Sequence, residues 1–524
     1  MALGYIHYDA GHPRSEVSDF LALKDKINLV FRNKYVKVES PTSPIFLGRI
    51  VDGPFFIPEE VGRDSAFAQT AILHGEDFKA MPDYYLLSHV EILGEYRDGT
   101  MFGTSTRPVP KSLVQDLSVA EIEKLIGIGG DMTLGSLVGY PDVRVKMNSQ
   151  LKKVLPRNVG IFGTVGSGKT NTAQVLIEEA AQAGYAVIVL DVEGEYTAMD
   201  EPSRERELEP SLRANDREPK GLKNLHVYHP KGGEPSRKES TEFGIPFGMM
   251  PRLVVSELAD LTEPQEGVFL KAYEALQEKR AKETLSKGKP RSEAVAFLEG
   301  GYAEDTGLTL QKLIDEVPNH GDKAGSGTLW ALTRKLEALR RTQIFDTAKP
   351  ISVANFLVEG CVSVVDVSAV PYDSAKNIAI AWILRQVFDE KIKNAKAPRT
   401  LVVIEEAHTF ISKESRDRMV ATMDMLKLIA RRGRKRWLSL TFVSQQPSHL
   451  PDEIFELCNT RIIHSIKSEY NLKPLMRTSG DVVSELWDMV PGLGPGQALV
   501  TSPQYTHTIL VGVRPSSTRR KMIE

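Results

Sequence analysis

Residues 163–170 read G-T-V-G-S-G-K-T, the spacing of the G-x-x-x-x-G-K-[ST] loop that cradles phosphate groups. Glycines at 163, 166 and 168 let the backbone turn so that successive N–H groups face an anion at a helix N-terminus. Lys169 would then reach the β- and γ-phosphates of a nucleotide, and the Thr170 hydroxyl would bind Mg²⁺. We read Gly163, Val165, Gly166, Ser167, Gly168, Lys169, Thr170 and Asn171 as the nucleotide-contacting set. The string alone also fits a glycine-rich turn, but a strand before it and a helix after it favour the phosphate loop.

A second constellation lies at 401–408, L-V-V-I-E-E-A-H. Four apolar residues form a buried strand, and two carboxylates follow at its C-terminal end, the edge where ligands sit in α/β sheets. Glu405 takes the position that holds Mg²⁺, and Glu406 can orient and activate the attacking water. A catalytic carboxylate beside the metal one favours hydrolysis over transfer to a metabolite. Gln445 or Gln446, at the end of a third apolar strand, can sense the γ-phosphate. Five of the six residues 431–436 are basic. Arg431 or Arg434 can be the arginine that neutralises a neighbour's transition state, or can face DNA phosphate, or can belong to an exposed turn. Asp191, Glu193 and Glu195 fall at the same sheet edge, in a metal-shell, water-positioning or loop role. His408 has no companion at metal-ligand spacing, so zinc is not expected.

These residues need a sheet to gather them. Short unbroken apolar runs at 159–162, 186–190, 361–368, 401–407 and 438–446 read as buried parallel strands, and helical spacing at 171–185, 374–393 and 416–432 reads as the crossovers. Between residues 199 and 347 the chain becomes charged and broken, with loops at 202–221 and 284–293 around amphipathic helices at 266–283 and 328–341. Leu329, Leu332, Leu336 and Leu339 form the apolar stripe of the last. The first 130 residues carry β-rich pieces at 26–32, 35–40, 45–52 and 89–96, which suggests a small antiparallel barrel.

The 524 residues suffice for about three domains on a prior of ~150 residues each, and 41% hydrophobic content supplies a sizeable core. A net charge of −3 excludes a histone-like binder, so any DNA-facing surface must be local. The first twenty residues lack signal-peptide order and no apolar run of about 18 residues spans a bilayer, so we expect a cytoplasmic protein with no membrane partner. Cys361 and Cys458 read as small core residues.

The phosphate loop, D-V-E-G-E-Y at 191–196, V-D-V-S at 365–368, I-E-E-A-H at 404–408, A-R-R-G-R-K at 430–435 and V-S-Q-Q-P-S-H-L at 443–450 occur in an order that resembles the HerA branch of the HerA/FtsK translocase ATPases. The β-rich start is similar to that family's N-terminal barrel. The resemblance implies an α/β RecA-like P-loop NTPase core with an N-terminal small β-barrel and a helical insertion. It divides the chain into a barrel at 1–135, core at 136–200, insertion at 201–347, core at 348–500 and a C-terminal arm at 501–524. It also implies ATP and Mg²⁺ as cofactors, a homo-hexamer with double-stranded DNA in its pore, and a NurA-like nuclease or an anti-phage effector as partner. Lys169 and Thr170 take the phosphate and metal roles, Glu406 the catalytic one, Gln445 the sensor one, and Arg431 or Arg434 the trans-arginine one. Two positions depart from the family: R-R-G-R-K stands where R-E-G-R-K is commoner, and Gln446 where arginine is commoner. A non-translocating ATPase scaffold that switches on an effector would use the same site. A small-molecule kinase fits less well, since no acceptor-binding pattern is evident.

Overall fold

The computed structural model describes all residues other than 9–16, 41–43, 59–83, 98–99, 105, 232–233, 287–306, 321–324, 347–349, 415–419, 481, 483 and 522–524. Two compact units form, a smaller one built mainly from residues 1–129 and a larger one built mainly from 146–503 and 510–524.

The smaller unit holds β1 (Ala2–Ile6), β2 (Val17–Ala22), β3 (Tyr35–Glu39), β4 (Ile45–Pro58), β5 (Tyr84–Arg97), β6 (Thr100–Phe102) and β7 (Leu113–Asp116). They pair in the order β2-β1-β7-β3-β4-β5-β6, and an extra β2–β5 pairing closes the sheet into a barrel. Leu3, Phe20, Val36, Val38, Phe46, Ile50, Val90 and Val114 fill it. Residues 26–32 depart from expectation: Lys24–Leu29 is a 3₁₀ helix with no buried residue, and β1, β2 and β7 supply the strands needed for closure. Its lysines and aspartate, Lys24, Asp25 and Lys26, suit an exposed turn better than a strand facing a core.

The strands β8 (Met132–Leu137) and β9 (Tyr140–Met147) precede the phosphate loop. The larger unit contains β10 (Val159–Phe162), β11 (Ala186–Asp191), β12 (Leu225–Pro230), β13 (Thr241–Phe243), β14 (Val362–Asp366), β15 (Thr400–Ile404), β16 (Leu438–Ser444), β17 (Thr460–Ile463) and β18 (Gln497–Thr501). They run in the order β13-β12-β14-β11-β15-β16-β10-β17-β18, parallel except for the last pair. Every residue of β10, β11, β14, β15 and β16 is buried, as a sheet covered on both faces requires.

Helices Lys169–Gln182, Asp373–Lys393 and Val420–Gly433 make the crossovers. The segment between β11 and β14 holds helices Glu263–Ser286 and Ser326–Arg341, the latter burying Leu332, Leu336 and Leu339. It also contributes β12 and β13, which extend the sheet beyond β14 and had no clear signal among their charged neighbours. Positions 287–293 of the expected loop and 416–419 of the expected helix lie outside the described residues. Cys361 and Cys458 are buried and unpaired. Among the described residues, no helix is long and apolar enough to cross a membrane.

Candidate nucleotide site

Parallel register brings the chemistry to one edge. Phe162 lies beside Ser444, Phe442 beside Ile404, and Ile404 beside Leu190, so Gly163, Gln445, Glu405 and Asp191 follow at neighbouring strand ends. The loop after β10 turns through positive φ at Gly166 (75°) and Gly168 (111°), conformations that disfavour any side chain. A Cβ at Gly163 would stand 2.6 Å from the Ser167 hydroxyl and 2.7 Å from the His464 Cβ, so that position is closed by contact as well.

The loop is stapled to the strand beside it. Thr164 donates from its backbone N–H to the Ser465 carbonyl at 2.9 Å, and Ser167 donates from its hydroxyl to the Thr164 carbonyl at 2.7 Å. His464, fully buried, donates from Nδ1 to the Gln497 carbonyl at 2.9 Å and accepts at Nε2 from the Thr172 hydroxyl at 2.8 Å. Burial pushes its pKa down to about 4, so it is a neutral strut beneath the loop. Lys169 is buried, with Nζ donating to the Thr164 carbonyl at 3.0 Å. Burial lowers its pKa; Glu406 and Glu195 oppose that shift, and the positive charge of Arg520 adds to it. Val165 is 80% exposed at the loop tip. The Asn171 side chain accepts from the Ser516 N–H and donates to the Arg514 carbonyl, both at 2.8 Å, so its amide fastens the C-terminal arm.

Glu406 caps the Ala407–Phe410 turn with φ 43° and ψ 50°, a left-handed conformation that costs a non-glycine residue on the order of 1–2 kcal/mol. The turn aims its carboxylate at the end of β16. The Gln445 amide donates to Glu406 Oε1, and His408 Nδ1 lies 3.1 Å from Oε2. Burial works to raise the Glu406 pKa, but the His408 and Gln445 hydrogen bonds and the charges of His408 and Lys169 bring it below the usual carboxylate value. The residue is therefore an ionised carboxylate held in place. Gln445 is half-buried whereas Gln446 is exposed, which separates the two amides.

Glu405 is buried against Asp191. Burial, then the Asp191 charge, raises its pKa well above the usual value, and one of its oxygens, Oε2, has no hydrogen-bond partner. Asp191 itself is occupied: Oδ1 accepts the N–H groups of Glu193, Gly194 and Glu195, and Oδ2 accepts that of Tyr196. It is the organiser of the 191–196 turn, the loop role among the alternatives open from sequence. Among the described residues, no three His, Cys, Asp or Glu side chains form a protein-only metal cage.

Arg431 and Arg434 are exposed, at the end of the Val420–Gly433 helix and in the 3₁₀ turn after it, and neither makes an ion pair among the described residues. Two contacts at this edge have no readable signal in the sequence. One is His408 as partner of Glu406. The other is Arg520, which reaches the site from the chain's far end and ion-pairs with Glu195.

Residues 132–387 match the family model described as helicase HerA, central domain. Two relatives, each named DNA double-strand break repair helicase HerA, are similar over most of the chain. That of Saccharolobus solfataricus is 26% identical over 390 residues, covering 72% of this chain and 68% of its own. That of Sulfolobus acidocaldarius is 25% identical over 426 residues, covering 80% and 75%. Among solved structures, VirB4 of Thermoanaerobacter pseudethanolicus superposes with a TM-score of 0.52 at 16% identity, over 74% of this chain and 96% of that one, a likeness of fold.

Proposed function

We propose that this chain is a HerA-type P-loop ATPase, a ring motor that moves along double-stranded DNA by hydrolysing ATP with Glu406 as the water-orienting base. The observation that carries the reading is the Glu406–Gln445–His408 cluster at the sheet edge, in the electrostatic reach of Lys169. A carboxylate kept ionised by its hydrogen bonds can take a proton from water, and an amide fixed on it can report whether a γ-phosphate is present.

The buried Glu405 Oε2, free of any hydrogen bond, suits a cation ligand, so Glu405 and the Thr170 hydroxyl would hold Mg²⁺. The ion would supply positive charge that offsets the negative charge of the phosphates. Arg431 or Arg434, exposed and without an ion pair among the described residues, suits donation to a neighbouring subunit's nucleotide, which calls for a homo-oligomer such as a hexamer. The name that the two relatives share, DNA double-strand break repair helicase HerA, supports DNA double-strand break repair as the setting. The partner in this reading is a NurA-like nuclease or a defence effector, in the cytoplasm.

ATP turnover should rise on adding linear duplex DNA, with Lys169→Ala inactive under both conditions. Turnover that is substantial yet indifferent to duplex DNA, with no displacement of a DNA-bound roadblock, would replace the motor with a stationary scaffold.

A further inference from the structure

Residues 514–520 run beside the helix that the phosphate loop opens. Asn171 holds Arg514 and Ser516, the Gln174 amide donates to the Arg519 carbonyl at 3.3 Å, and Glu178 accepts both the N–H and the hydroxyl of Thr518, at 2.9 and 2.8 Å. Buried Arg514 bridges Glu178 and Glu179, each at 2.8 Å. The path of the arm is thus determined by the same helix that carries Lys169 and Thr170.

Where the arm reaches the 191–196 turn, the Lys521 N–H donates to the Glu195 carbonyl at 3.1 Å and the Arg520 guanidinium pairs with the Glu195 carboxylate. The Glu195 N–H rests on Asp191, which is hydrogen-bonded to Glu405. The charge of Arg520 acts on both Lys169 and Glu193. Its side chain is 38% exposed, whereas that of Glu195 is 11% exposed. The backbone tie at Lys521 can hold the arm in place while the guanidinium alone turns. A triphosphate brings more negative charge than Lys169 alone balances, and a planar guanidinium grips phosphate with two parallel hydrogen bonds.

We propose that Arg520 is a phosphate-contacting residue of its own subunit's nucleotide site, exchanging Glu195 for the terminal phosphate of ATP and so coupling the C-terminal arm to the nucleotide state. The inference rests on the reading of 163–170 as a nucleotide site. It adds a cation in cis to the arginine expected from a neighbour.

The test is calorimetric titration of ATPγS and of ADP, with Mg²⁺, into the full chain and into Arg520→Gln, Arg520→Lys, Glu195→Gln and Lys169→Ala, each with its melting temperature. Arg520→Gln should weaken ATPγS about tenfold or more and ADP by less than about twofold, the size of a lost charge-assisted hydrogen bond. Arg520→Lys should recover part of that loss, and Glu195→Gln, which removes the competitor, should tighten ATPγS. Unchanged ATPγS affinity in Arg520→Gln, with or without a lower melting temperature, would make the ion pair a latch of the fold and overturn the proposal. Equal losses for ATPγS and ADP would overturn the terminal-phosphate assignment. If Arg520→Gln fails to fold, Glu195→Gln decides: unaltered ATPγS affinity there overturns the exchange. Undiminished ATPγS binding by Lys169→Ala would instead defeat the reading of the site itself.

Discussion

Gln445 holds both oxygens of Glu406: its side-chain amide donates to Oε1, and its backbone N–H approaches Oε2 at 3.4 Å. The end of β16 and the end of β15 therefore share one carboxylate, and a ligand that pulls the amide away frees that carboxylate for water.

Replacing Gln445 with Ala should lower kcat about 10- to 100-fold, the usual scale for a positioned polar group at a hydrolytic centre, with little change in KM for ATP. Steady-state ATPase measurements across ATP concentration check the split. A rise in KM with unchanged kcat would place Gln445 in ground-state binding.

His408 lies against Glu406 Oε2 and contributes to its lowered pKa. A base with a depressed pKa stays ionised to lower pH, so activity should persist as acid is added until that lowered value is crossed. His408→Gln should move the acid limb of the kcat–pH profile upward. An acid limb that does not move would assign it to a group other than Glu406.

Beneath the loop, His464 is neutral with a pKa near 4 against 6.5 for a free side chain. The depressed value means that the unfolded chain takes up a proton first. Stability from this group is therefore complete above about pH 6.5 and is lost as pH falls toward 4, by about 3 kcal/mol in all. Thermal melts from pH 7.5 to 4.5 should show a steeper fall for the parent chain than for His464→Gln, whose melting temperature is lower at neutral pH. Parallel curves would contradict the assignment.

Arg514 is 1% exposed and bridges two buried carboxylates. Arg514→Met should cost about 3–5 kcal/mol, since Glu178 and Glu179 lose their shared cation and Thr133 O a donor. Denaturant unfolding measures it, and a loss under about 1 kcal/mol would show that the arm is not clamped to the 169–182 helix.

Much of the larger unit is legible in sequence because parallel strands covered on both faces leave unbroken apolar runs, and because the phosphate loop and the paired glutamates stand directly at their ends. Residues 159–162 and 401–408 contain strand and chemistry in one continuous string. The barrel is less legible. The 24–29 segment has the apolar residues Ile27 and Leu29 of a strand but the exposure of a turn, whereas Leu113–Asp116 becomes a strand by pairing with Ala2–Ile6 and Tyr35–Glu39, both far back along the chain. Asp191, with Glu193 and Glu195 near it, resembles a metal carboxylate until its four backbone partners are seen. Arg520 carries no local pattern, since its place depends on the 169–182 helix more than 300 positions earlier.

The most direct measurement of the central claim compares Glu406→Gln with the parent chain in filter-binding and turnover assays with ATP and Mg²⁺. Glu406→Gln should retain ATP at near-parental affinity and hydrolyse it at least ~10²-fold more slowly, because the phosphate cradle is intact and only the base is gone. Hydrolysis by Glu406→Gln at the parental rate would contradict the account and shift the catalytic role to another carboxylate at this edge, Glu193 or Glu195.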